Sequence, residues 1–270
     1  MKKIAFFICF FITAFCAEAQ GDSSFQLIKT LNEKVTDVAV DNLGNIYLLT
    51  ASDALKKLNA AGDSVGIFNE VKRFGKLTSI IVSNPLKILL YYKDFSKVVI
   101  LDRQLSVRSV IDLRKLNIIQ TSAIGLSYDN NIWLFDEYEN KLKRISEDGT
   151  ILMQTDDFRN IFSSAFIPLQ IIDENEFVYL YDAASGVLVF DHYGTYKKKI
   201  PITGWRNIAV ANTYILGTEG SSIHYYNTST LLQRSKDLPL NSVDGFNYYI
   251  RSNKIFAWSK DGLRIYTNPF

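Results

Sequence analysis

Cysteine is almost missing from this chain. There are 2 in 270 residues, Cys9 and Cys16, and both fall in an N-terminal leader, so a disulfide framework is excluded. Histidine is as rare, with only His192 and His224. Neither an H-E-x-x-H motif, a Cys cluster, a G-x-S-x-G elbow nor a phosphate-binding glycine loop occurs. With 5 Pro and 14 Gly the chain is neither fibrous nor linker-rich. Charge of one sign is also lacking. Lys and Arg number 30 against 28 Asp and Glu, which gives no concentrated basic surface and argues against nucleic acid as a partner. The 47% hydrophobic content is too high for a disordered chain.

Residues 1–19 read as a signal peptide. Lys2 and Lys3 form the positive n-region, Ile4 to Phe15 the apolar core, and Ala17-Glu18-Ala19 an A-x-A cleavage site. Cleavage after Ala19 is expected to deliver a periplasmic, outer-membrane-associated or secreted protein. Removing Lys2, Lys3 and Glu18 leaves a net charge of +1. No later apolar run approaches the length of a transmembrane helix.

Residues 20–270 have little helical periodicity. Short runs rich in Val, Ile, Leu, Tyr and Phe are broken by Asn, Asp, Gly and Ser. One pattern recurs six times: apolar, any, any, apolar, then a small polar turn residue. Its copies start at Leu55, Val98, Leu142, Val187, Ile223 and Leu263, spaced by 43, 44, 45, 36 and 40 residues. In three copies a glycine (Gly62, Gly149 or Gly194) stands three places beyond the turn residue, the composition of a tight hairpin. A run apolar on both faces precedes each copy, as in Ile46–Leu49, Ile88–Tyr91 and Ile132–Phe135. Such a strand must be covered on both sides.

Six four-stranded units, each with a doubly buried second strand, describe an all-β, six-bladed β-propeller filling residues 20–270 as one domain. A β-sandwich would account for the strands but not for six equivalent units. The last unit has three strands, and Phe25–Leu31 is expected to supply its fourth, closing the ring by backbone pairing.

The first unit, Val38 to Thr50, resembles the NHL-type repeat of six-bladed propellers. The resemblance rests on Asp41, Gly44, Asn45, Ile46 and Tyr47, and Tyr128 to Ile132 is similar. It implies the fold and no particular activity.

No catalytic set is legible, and no cofactor is expected. Six-bladed propellers that hydrolyse lactones or esters hold a divalent metal in the central channel. By that resemblance the nearest candidates are Asp37, Asn207 and Asp244, but the expected inner-strand Glu is not evident. Asp41–Asn45 and Asp173–Glu176 fall where hairpin turns are needed, which favours turn chemistry over calcium. Loops joining the fourth strand of one unit to the first of the next share an end of the ring with loops joining second and third strands. They carry Arg73, Phe74, Arg159, Trp205 and Arg206 beside Asp136 and Glu137, a mixed-charge surface rich in interface-anchoring residue types. The sequence therefore points to a non-catalytic, exported scaffold binding protein partners in the cell envelope. A channel-mouth hydrolase or lactonase and a small-ligand or glycan binder are the alternatives.

Overall fold

A computed structural model describes residues 25–238, 246–251 and 253–268. The leader, both cysteines and Asp244 lie outside them. Twenty-four strands, numbered β1 to β24 in chain order, form six antiparallel sheets of four. The innermost strand of each is β2 (Val35–Val40), β6 (Ser79–Asn84), β10 (Thr121–Leu126), β14 (Gln170–Glu174), β18 (Arg206–Ala211) or β22 (Asn247–Arg251). Each inner strand touches the next around a closed ring. The fold is the six-bladed propeller that the repeats predict.

The second strands explain why the blades stack. In β7 (Lys87–Tyr92), Ile88, Leu90 and Tyr92 pack toward blade 1, while Leu89 and Tyr91 pack toward blade 3. In β11 (Ile132–Asp136), Ile132 and Leu134 face blade 2, whereas Trp133 and Phe135 face blade 4. Side chains alternate with period two, so a strand apolar at every position feeds two cores. The result is six hydrophobic clusters, one at each junction between blades. At about 1.5–3 kcal/mol per buried large side chain, these junctions hold the ring without a disulfide.

The seam forms as expected. β1 (Leu27–Leu31) pairs antiparallel with β24 (Gly262–Thr267), with Leu31 opposite Leu263 and Leu27 opposite Tyr266. The order β1-β24-β23-β22 completes the sixth blade from both chain termini.

The turns follow their sequence. Gly62, Gly149 and Gly194 have φ of 88°, 91° and 82°, the left-handed region a side chain resists. In blade 2 Leu105 holds that position at φ 66° and is buried between blades 1 and 2. In two blades the inner strand starts after an apolar residue that would fit it, at Ser79 after Leu77 and at Gln170 after Ile167. Pro168 explains the second case, since it has no N–H to give a ladder. The Ile167 N–H goes instead to Asp182.

Candidate binding site at the channel mouth

Antiparallel order fixes two ends of the ring. The upper end carries the links into each inner strand and the turns between second and third strands. The lower end carries the remaining turns and both sides of the seam. At the upper end the channel opens into a cavity of about 630 Å³, lined by residues of blades 1, 2, 4, 5 and 6. Below it lies a narrower space of about 150 Å³. Ile80, Gln170 and Tyr249 line both and mark the constriction between them.

Local irregularity aims side chains into this mouth. The ladder of β2 slips between Val35 and Asp37, and that of β18 slips between Arg206 and Ala209. Such bulges leave residues unpaired and redirect them. Within the second, Asn207 adopts φ 48°, a left-handed conformation that asparagine tolerates better than most residues. Its Nδ2 donates to the Tyr248 carbonyl at 2.6 Å. The Ile208 N–H, freed from the ladder, donates to Gln170 Oε1 at 2.9 Å. Blades 4, 5 and 6 are thereby tied together at the channel wall.

Asp37 is the acid of this mouth. Its Oδ1 accepts the Val38 N–H at 2.8 Å, and no other partner for it exists among the described residues. Burial raises its pKa, against the pull of that N–H. Arg206 is the cation. It is exposed, and its guanidinium has no hydrogen-bond or ion-pair partner among the described residues. Ser79, Gln170 and Asn247 add neutral polar groups, and Val38, Ala39, Ile80 and Leu169 add apolar wall. Trp205 is 3% exposed and stacked on His224 at 5.2 Å. Its carbonyl accepts the Tyr181 hydroxyl, whose pKa burial pushes up to about 12.

Four residues singled out in the sequence thus meet at one cavity: Asp37, Trp205, Arg206 and Asn207. The other five described candidates stand around the upper end. Arg73 lies in a helical turn, Val71–Phe74, with its guanidinium 4.9 Å from the Phe74 ring centre. Phe74 itself is 1% exposed and packs on Tyr92 in the core between blades 1 and 2. Arg159 forks onto Asp157 at the exposed turn Phe158–Ile161. Glu137 accepts from Gln120 Nε2 at 2.7 Å. The last, Asp136, is fully buried. It accepts the Tyr138 and Glu139 N–H groups and pairs with Lys143 Nζ at 2.7 Å, locking the loop of blade 3.

The histidines do not reach the mouth. His192, at the lower end, bonds Asp173 at 2.9 Å and stacks on Tyr128 at 3.9 Å. Among the described residues no group of three or more His, Cys, Asp or Glu is placed to share a metal ion. Among the described residues the mouth supplies one carboxylate and neutral amides, which falls short of the charged oxygen shell a divalent cation needs. Asp41 is likewise engaged in turn chemistry: Oδ1 accepts the Leu43 and Asn45 N–H groups, and Oδ2 accepts Asn45 Nδ2 and the Tyr47 hydroxyl. No described helix is long and apolar enough to cross a membrane.

These features define the class: an all-β, six-bladed propeller with a polar channel mouth. No family model matches the sequence, and no curated protein matches it either. Solved structures do share the fold. Virginiamycin B lyase from Staphylococcus aureus superposes with a TM-score of 0.61 at 17% identity, over 89% of this chain and 82% of that one. An exported protein from Bacteroides fragilis gives 0.60 at 11% identity, over 90% and 93%. BamB from Moraxella catarrhalis gives 0.50 at 13% identity, over 85% and 81%. At these identities the likeness is one of fold.

Proposed function

We propose that this protein is an exported propeller of NHL-like type that acts as a non-catalytic interaction scaffold, an accessory subunit of an assembly in the cell envelope. The observation that carries the reading is an apolar arc on the upper end. Phe95, Ile119, Tyr138, Ile161, Ile167 and Leu169 are each 43% to 72% exposed, and all stand on the upper-end loops of blades 2 to 4. Lys72, Arg73 and Lys115 flank the arc on its blade 2 side. The described upper-end loops of blades 5, 6 and 1 show no comparable exposed apolar residue. An apolar surface confined to one sector, with aromatic and basic residues, suits a partner segment that is apolar with an acidic flank.

The A-x-A site and the seam agree with export. Cleavage after Ala19 would fall ahead of β1, so processing leaves the ring closure intact. The exported and outer-membrane-assembly neighbours are compatible with this reading, and their partners are their own.

Gentle extraction of the native envelope tests it. The protein is expected to elute with a stoichiometric partner, and Ile119→Glu with Tyr138→Glu should release that partner. Ile67→Glu, on an outer blade edge, should not. Elution of the wild-type protein as a free monomer would overturn the proposal.

A further inference from the structure

We infer that the channel mouth is a binding site for a small zwitterionic ligand, one that carries an ammonium group to Asp37 and a carboxylate to Arg206. This site adjoins the loop arc of the scaffold reading at Leu169, but it is argued from other residues, and either can stand without the other.

The described lining contains one acid and one cation, on inner strands of blades 1 and 5. Neither has an ion-pair partner among the described residues, and they do not pair with each other. A half-buried carboxylate with a single N–H donor is costly for the fold to hold, and an incoming ammonium would compensate its charge. Arg206 offers a planar fork matched to a carboxylate. The space between is about 630 Å³, within the range of small-molecule sites.

The neutral groups complete the recognition. The Gln170 amide oxygen and the Asn207 amide nitrogen are both engaged in fixing the wall. That leaves the Gln170 NH₂ and the Asn207 carbonyl as a donor and an acceptor with no described partner, and the polar ends of Ser79 and Asn247 likewise. These are the groups that would read a backbone amide or side chain between two charged ends. Ile80 and Tyr249 narrow the channel beneath, so the ligand would seat at the mouth instead of passing through. A neutral saccharide would use the amides but leave both charges unmet.

Titration calorimetry of the purified protein decides the matter. The probes are the free L-amino acids, dialanine, N-acetyl-dialanine, dialanine amide and maltose. Saturable binding of a free amino acid or of dialanine is expected, the arm that binds tighter telling amino acid from peptide end. Blocking either charge of dialanine should weaken binding at least tenfold. Asp37→Asn and Arg206→Gln should each do the same. Circular dichroism melting of both variants keeps a folding failure from being read as lost binding. The inference is overturned if no zwitterion saturates at millimolar concentration, if blocked and free dialanine bind alike, if maltose binds best, or if folded Asp37→Asn and Arg206→Gln bind as tightly as wild type.

Discussion

Asp37 and Asp41 stand at opposite ends of β2, four residues apart, and they are treated in opposite ways. Asp41 is 1% exposed and accepts four hydrogen bonds from its own turn and from the Tyr47 hydroxyl. Asp37 faces the channel mouth with one N–H donor and a raised pKa. The same contrast runs around the ring. At the lower end Asp173 collects the Trp133 indole, the Tyr128 N–H and His192. Lys57 reaches the Arg103 carbonyl of the next blade at 2.7 Å, and Lys87 meets the Asn130 carbonyl and Glu147. These lower-end groups are satisfied and bind blade to blade, although Asn268 Nδ2, at the lower end of β24, is buried without a described partner. At the upper mouth, hydrogen-bonding capacity is left open. A polar group that is buried and filled serves the fold, whereas a half-buried one with open capacity at a cavity mouth is free to serve a ligand.

Substitutions can break this contrast. The largest effect is expected from Asp41→Ala, which strands the buried Tyr47 hydroxyl and the turn N–H groups; a loss of about 3 kcal/mol should show in urea unfolding. Asp173→Ala should cost about 2 kcal/mol by the same measurement, because the buried Trp133 indole loses its acceptor. The smallest effect has the opposite sign. Asp37→Asn should stabilise the protein by about 1 kcal/mol at pH 7. A carboxyl whose folded pKa is raised favours the fold below its unfolded pKa and loses that contribution as pH rises through the folded value. The gain from Asp37→Asn should therefore fade when melting is followed down to about pH 3. If Asp37→Asn destabilised the protein at pH 7, the two ends would not differ in kind.

Much of the ring was legible because its physics repeats. Doubly apolar runs such as Ile88–Tyr91 need cover on both sides, and six of them at near-constant spacing leave few alternatives to stacked blades. Asp41 was readable as turn chemistry for the same reason, whereas Asp173 lies within β14 and bonds Tyr128 and Trp133 of the neighbouring blade. The mouth was legible only in pieces. Trp205, Arg206, Asp37 and Asn207 could be picked out by type, but nothing in their spacing brings blades 1 and 5 to one channel mouth. Closure of the ring does that. Ser79, Gln170 and Asn247 were not singled out, since as residue types they look like ordinary strand ends. Aligning the first residues of the six inner strands would have flagged them. Phe74 and Asp136 lie in polar stretches that look like exposed loop. The helical turn folds Phe74 back under the loop, and Lys143, on the facing strand of the hairpin, draws Asp136 inward.

The seam between β1 and β24 has a mechanical consequence. The chain enters β1 and leaves β24 at the same, lower end of the ring. These strands run antiparallel, with Leu27 opposite Tyr266 near that end and Leu31 opposite Leu263 farther up. A pull applied between the two chain ends would therefore load the seam one rung at a time, like a zipper, instead of shearing all rungs together. Tension on the termini would open this joint first, while the other five blades, each a continuous piece of chain, stay whole. The propeller is thus held by packed junctions between its blades and weak to force along one defined line.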